Sequence, residues 1–299
     1  MKPFNIPLTI PVVFCLLATW LIWGSTYLGI RFALDGFPPY WQMASRFAIA
    51  GVLLYGFLRV RGVAKPTIIE WRNAFIVGGL MLGGGMGCIA VAEETVSSGL
   101  VATLIAALPM ISAFWNYVLN RVLPNKLEII AILLGLAGVV WLMSGQGLGG
   151  SPKGTALVFT AMVLWGLGSM LSRGRTPLAA GANGTMGFAS EMLAGSVVLT
   201  LLALITQEPL PAWHAISTKA WLAWVYLIIA GSLLAFSAYM YLLRTVSASL
   251  ATSYALVNPI VALLLGVWLG GEVIAANEIG AIVVILAAVT MMFWGQRGR

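Results

Sequence analysis

Apolar residues along this chain do not alternate; they run. Ten stretches stand out, at about Thr9–Ala33, Tyr40–Leu58, Trp71–Ala92, Val96–Leu119, Leu127–Ser144, Gly154–Leu171, Ala182–Ile205, Trp221–Leu243, Val246–Leu269 and Ile274–Trp294. About 20 apolar residues carry a helix across the hydrocarbon core of a bilayer, so each stretch predicts a spanning helix. The polar breaks are short and hold the expected punctuation. Asp35-Gly36-Phe37-Pro38-Pro39 closes the first run, Arg59 to Arg72 is a basic loop, and Gly145 to Pro152 is a Gly-rich link. The first run lacks a small-residue cleavage site and is too long for a signal peptide, so it is expected to stay as the first membrane helix.

The pattern repeats. Thr95-Val96-Ser97 recurs as Thr245-Val246-Ser247, Pro109 as Pro259, Glu128 as Glu278 and Leu136 as Leu286, at a constant spacing of about 150 residues. The chain therefore reads as two copies of one unit, residues 6–146 and 151–296, with five spans each. An odd number of spans makes the second copy enter the membrane from the opposite side. The expected fold is an all-α polytopic membrane protein with ten transmembrane helices, arranged as two inverted-topology five-helix repeats around a central cavity.

Composition agrees with lipid as the main solvent. The chain is 61% hydrophobic and 8% charged, against about 25% charged residues in a soluble domain. The formal net charge of +7 then reads as the positive-inside bias rather than as a nucleic-acid surface. With both termini inside, Lys2, Arg59, Arg61, Lys65, Arg72, Arg121, Lys126, Arg173, Arg175, Arg244, Arg297 and Arg299 are cytoplasmic. Arg31, Lys153 and Lys219 are outside. Cys15 and Cys88 both sit in apolar runs and offer neither a disulfide framework nor metal-ligand spacing. His214 is the single histidine, so no relay of several histidines exists. No metalloprotease, phosphate-cradling or Ser-His-Asp pattern is legible, which points away from an enzyme and from a self-contained ATP-driven pump.

A few residues depart from the apolar background. Pro109 and Pro259 lie inside their runs, where proline removes a hydrogen bond and clashes with the carbonyl four residues back. Both are expected to break their helices near the midplane and to act as hinges. Ser253, Tyr254 and Asn258 flank the second proline. Trp23 and Trp165 lie deeper than an interfacial belt requires, near Ser25, Thr26, Tyr27 and Ser169. With Tyr239 these residues form the expected substrate cavity: apolar walls with neutral hydrogen-bonding groups, suited to small amphiphilic molecules. Arg46 and Glu191 are charges within spans, near corresponding points of the two halves; a buried pair is one reading, substrate or proton binding another. The glycines of the third run read as close helix packing. Glu128 and Glu278 read as helix caps, and Glu93-Glu94 as a solvated rim.

Several pieces carry a resemblance. Ile22-Trp23-Gly24-Ser25-Thr26-Tyr27, Pro38-Pro39 followed by Arg46-Phe47, Ala92-Glu93, Ala107-Leu108-Pro109, Glu191-Met192-Leu193-Ala194-Gly195 and Ala251-Thr252-Ser253-Tyr254-Ala255-Leu256-Val257-Asn258-Pro259 are similar to the EamA family of the drug/metabolite transporter superfamily. The resemblance covers nearly the whole chain. It implies ten helices in two inverted repeats, a central cavity, and export of amino acids (aromatic and other, with broad selectivity) and related metabolites from the bacterial inner membrane. Drug or nucleoside export within the superfamily, and a channel, remain as alternatives. The expected partners are a small-molecule substrate and membrane lipid, with no nucleic acid. The expected state is a monomer with both termini cytoplasmic and no cofactor, proton coupling being left open. One departure is visible: Gly271-Glu272 follows the ninth span, whereas Asn120-Arg121 stands at the matching turn after the fourth.

Overall fold

The computed structural model describes residues 9–144, 151–173, 184–246, 253–274 and 276–296. The Gly145–Gly150 link, the loop holding Arg175, the first residues of the expected ninth span and the basic residues Lys2, Arg297 and Arg299 lie outside the described residues. Every regular element among the described residues is helical. In chain order they are α1 (Ile10–Ala33), α2 (Pro39–Val60), α3 (Ile68–Ala92), α4 (Ser98–Ile105), α5 (Leu108–Asn120), α6 (Lys126–Ser144), α7 (Pro152–Arg173) and α8 (Gly184–Ile205). Then come α9, built of Thr218–Tyr226, Leu227–Leu234 and Ala235–Thr245, α10 (Tyr254–Gly270) and α11 (Ala276–Gln296). Among the described residues, seven helical runs are long and apolar enough to cross a membrane, with shorter apolar helices at Val257–Gly270 and Ile279–Met292.

The ends of the helices are local chemistry. Pro39 opens α2, where a missing N–H matters least. Thr67 and Glu70 form a reciprocal cap on α3, Thr67 Oγ1 accepting from the Glu70 amide at 3.3 Å and Glu70 Oε2 accepting from the Thr67 amide at 2.6 Å. Asn125 and Glu128 do the same for α6, at 2.9 and 2.6 Å, as expected for Glu128. Gly271 ends α10 in the left-handed region at φ 67°, and Arg121 takes nearly the same backbone shape after α5 at φ 58°. The departure noted in the sequence is thus one of side chain and not of turn geometry. Two caps come from far along the chain. Glu208, after α8, accepts from the amides of Tyr40 and Trp41 at 3.1 and 2.9 Å at the start of α2. Glu272, after α10, accepts at the start of α4.

One of the two expectations about helix continuity needs correction. Pro109 does mark a break: α4 ends at Ile105, Ala106 and Ala107 form a turn, and the proline sits in the first turn of α5. Pro259 marks none, because α10 starts at Tyr254 and runs through it to Gly270. The proline lies in the second turn of that helix, so few intrahelical bonds precede it and only one early carbonyl loses its donor. A feature absent from the sequence reading also appears. α1, α3 and α9 each contain a π-helical stretch, at Ala18–Ile22, Gly79–Met86 and Leu227–Leu234.

The two halves do not stand apart. α2 packs along α8, α6 along α11, α3 along α7, and α4 along α10, so helices of one half pair with helices of the other. The outside is lined with large apolar side chains such as Phe14, Val52, Phe57, Leu133, Leu201 and Leu264, which suits a surface facing acyl chains. Small residues carry the interior contacts, because in lipid close backbone approach replaces the hydrophobic drive. Gly78 makes the tightest approach to another main chain: a Cβ there would meet the Glu191 carbonyl oxygen and would lie 2.9 Å from its Cα and 3.0 Å from its carbonyl carbon. Main chain cannot swing aside as a side chain does. Gly78→Ala is therefore expected to destabilise the protein by about 1–3 kcal/mol. Gly56→Ala, with nothing within 4 Å of its Cβ, should leave thermal unfolding in detergent nearly unchanged. Equal melting temperatures for the two variants would show that α3 and α8 can separate freely.

Candidate functional site

The π-helical segments set the site, because a π turn widens the helix and moves one carbonyl out of the regular ladder. In α9, Ser232 Oγ donates to Leu227 O five residues back at 3.0 Å. The carbonyl of Gly231 takes the indole N–H of Trp23 at 3.2 Å. Trp23 then lies against Tyr239, with ring centroids 5.2 Å apart, and edge-on to Tyr254 at 4.7 Å. Tyr239 and Tyr254 meet edge to face at 5.7 Å. Trp20, one turn before Trp23, donates its indole N–H to Ser253 Oγ at 3.0 Å. Asn258 is 6% exposed; its amide nitrogen, oriented by the two carbonyls it faces, donates to Tyr254 O and Trp20 O, each at 3.1 Å. Five of the expected cavity residues, Trp23, Tyr239, Ser253, Tyr254 and Asn258, thus come together where α1, α9 and α10 meet. The group carries aromatic faces and neutral polar atoms but no formal charge.

The other expected cavity residues divide. Ser25 donates to Ile22 O at 2.8 Å and shares a 2.5 Å hydrogen bond with the Tyr226 hydroxyl. Thr26 donates to Trp23 O at 2.7 Å and turns its methyl toward Gly231, so it is a packing residue between α1 and α9. Tyr27 packs against the main core. Trp165 and Ser169 lie on α7 and make a second wall. The Trp165 ring sits over Gly85 of the π segment in α3, Ser169 faces the Met81 sulfur at 3.9 Å, and Trp115 of α5 donates to Val163 O at 3.0 Å. The two tryptophans are thus in the same position within their halves: each lies on the π segment of the helix it packs against.

The pairing of Arg46 with Glu191 is not what forms. Arg46 is 4% exposed, its Nε donates to Ser232 Oγ at 2.9 Å, one terminal nitrogen faces the Met43 sulfur at 3.8 Å, and its carbon lies 5.0 Å from the Phe47 ring centre. Glu191 is only partly buried and sits with its main chain against Gly78. Among the described residues the ion pair within 4.0 Å is Lys219 with Asp35. Symmetry-related positions face matching partners, here α9 for Arg46 and α3 for Glu191, and so do not meet each other.

Glu93 also departs from expectation. It is 0% exposed, and neither carboxylate oxygen has a hydrogen-bond partner; only Glu94 is on a solvated rim. Arg31 of α1 donates to the main-chain carbonyl of Glu93 at 2.8 Å and to that of Glu94 at 3.5 Å, not to a carboxylate. Burial, with the Glu272 charge adding to it, pushes the Glu93 carboxyl well above the usual range, against the pull of Arg31 and Arg46. Glu272 is its opposite. Its Oε1 accepts from the Ser98 amide at 2.8 Å and the Ser98 hydroxyl at 2.5 Å, and its Oε2 from the Gly99 amide at 3.1 Å. The sequence flagged Glu272 as unmatched in the other half but gave no sign of its partner, 174 residues away. Trp20, Gly231 and Ser232 passed unmarked as ordinary span residues.

A bundle of long apolar helices, paired across two halves and with an uncharged aromatic cluster between them, is the architecture of a polytopic membrane protein. The chain belongs to the EamA-like transporter family, whose model matches residues 10–144 and again 152–294. It is 40% identical over 289 residues, 96% of this chain and 92% of the relative, to the uncharacterized inner membrane transporter YedA of Escherichia coli strain K12. It is 24% identical over 91% of its length, and 88% of the relative, to the protein PecM of Dickeya dadantii. A solved crystal structure superposes with a TM-score of 0.64 at 20% identity, covering 94% of this chain and 96% of the other; that likeness is one of fold.

The Glu272 cap provides a direct test. Glu272→Ala removes three hydrogen bonds at the start of α4 and should lower stability by about 1–2 kcal/mol, read as the thermal midpoint in detergent. Glu272→Gln keeps one acceptor and should fall between Ala and the parent. No change for either variant would mean that α4 is held without the cap.

Proposed function

We propose that the protein exports amino acids, aromatic ones among them, and related small metabolites across the bacterial inner membrane by alternating access. In this reading ten spans form two inverted repeats, residues 6–146 and 151–296, around a central cavity, with both termini cytoplasmic and the monomer as the working unit. The observation that carries it is the joining of Trp23, Tyr239, Tyr254, Ser253 and Asn258 at π-helical and early-helical backbone. Aromatic faces pack an apolar side chain with broad tolerance, and hydroxyl, amide and carbonyl groups can hold a zwitterion without a fixed counter-charge. Non-helical backbone at membrane depth is tolerated where it lines a cavity. The break at Ala106–Ala107 before Pro109 is the hinge of the first half. Pro259, in an unbroken helix, holds Asn258 against Trp20 and is a fixed point. The absence of charge in the pocket also favours a second reading, export of uncharged drugs or nucleosides. A channel fits less well, because the aromatic rings pack against one another.

Counterflow in proteoliposomes separates these readings. Phenylalanine, tryptophan and tyrosine should exchange saturably without nucleotide, with nucleosides inert. Trp23→Ala should weaken substrate affinity by about tenfold, the loss of one aromatic contact of roughly 1 kcal/mol together with its buried area. Exchange of nucleosides alone would overturn the amino-acid reading, and flux that never saturates would overturn the carrier.

A further inference from the structure

Two carboxylates lie within electrostatic reach of each other at one end of the molecule, in opposite settings. Glu272 sits at the N-terminus of α4, the positive pole of a helix, with three donors on it. Glu93 follows the last residue of α3, at the negative pole of a helix, with no donor on either oxygen and no exposure. A negative charge is stabilised in the first place and penalised in the second. Two neighbouring acids whose surroundings pull them apart in this way divide the roles of anion and acid between them.

Resting on the transporter reading above, we propose that Glu93 is a proton-binding site of the outer gate: it holds a proton while the outer end is sealed and gives it up to water when that end opens. The step is a protonation only. A carboxylate oxygen of Glu93 takes a proton from external water, an O–H bond forms, and the same bond breaks to return the proton; no electron moves. The ligand is a proton and not a larger cation for two reasons. The site has no exposed surface, and Arg31 and Arg46 are in electrostatic reach and would repel a second bound cation. Among the described residues no cluster of three metal-ligating side chains exists.

The seal around Glu93 is made of four helices. Arg31 ties α1 to the carbonyl at the end of α3, and Glu272 ties the end of α10 to α4. Gly99 abuts Leu263, and Gly270 abuts Leu28. Separating these contacts brings water to Glu93, and hydration restores the ordinary preference for the carboxylate. The titratable and charged groups facing Glu93 are Tyr27 and Arg31 on α1, Arg46 on α2 and Glu272 after α10. Arg31 is exposed and screened, while Arg46 is held on Ser232, so neither replaces a direct donor. The sign follows. The sealed form binds the proton more firmly than the open form, so acid on the outside favours sealing and alkali favours opening. For an exporter, an external proton thus closes the empty carrier and returns it to the inside.

Infrared difference spectroscopy of the purified parent at neutral pH should show a protonated-carboxyl C=O stretch that solvated carboxyls do not give. That band should vanish in Glu93→Gln and shift in frequency in Glu93→Asp, which also serves if the Gln variant does not fold. It should survive in Glu191→Gln. In proteoliposomes, efflux into substrate-free medium should rise severalfold on external acidification in the parent. Glu93→Gln should lose that response and still exchange substrate. A band unchanged by both Glu93 substitutions, or an acid response kept in Glu93→Gln, overturns the proposal. If the parent exchanges no amino acid at all, the transport reading falls while the infrared band still decides whether Glu93 holds a proton.

Discussion

In a bilayer every backbone N–H and C=O must find a partner inside the protein, and this constraint shapes the whole structure. Regular helices meet it for most of the chain. At several places where the chain departs from the regular ladder, a dedicated partner is in place. The carbonyl of Gly231 in the α9 π segment takes the Trp23 indole, Ser232 reaches back to Leu227 O, and the Asn258 amide covers Tyr254 O and Trp20 O. The polar groups of this cluster are thus the groups that hold irregular backbone in lipid.

Much of this was legible in the sequence because lipid imposes a coarse code. Long apolar runs marked the helices, the Pro38-Pro39 turn marked the start of α2, and Glu128 marked the start of α6; the Thr67–Glu70 cap went unnoticed. The repeat at about 150 residues foreshadowed the pairing of α2 with α8 and α4 with α10. Depth and polarity singled out Trp23 on α1 and Tyr254 and Asn258 on α10, which the fold brings together. The rest depended on contacts between distant segments. Glu93 looked like its neighbour Glu94 at the end of an apolar run; only its burial in the folded bundle distinguishes the two. Arg46 and Glu191 looked like a pair because each is a rare charge at a matching place. The fold does not bring these matching positions together, and each instead faces the helix that packs on its own. The π segments leave no compositional trace, since a one-residue change of hydrogen-bond register needs no special residue.

The two matching turns are chemically unlike although their backbones are alike. After α10, Gly271 in the left-handed region leads to Glu272 on the α4 amides. After α5, Arg121 holds the same backbone angle and Val122 stands where the acid would be. One turn is fastened by a carboxylate on a helix N-terminus, and the matching turn of the other half has no such group.

The foreign caps on α2 and α4 have a consequence for biosynthesis. Glu208 and Glu272 both belong to the second half, yet they complete helices of the first. A ribosome makes α2 and α4 long before it makes either acid. Until then the amides of Tyr40, Trp41, Ser98 and Gly99 lack these acceptors, while the Leu100 amide has a local one, in Ser97. The first half is therefore not a finished folding module, and the order of synthesis makes the C-terminal half the partner that completes it.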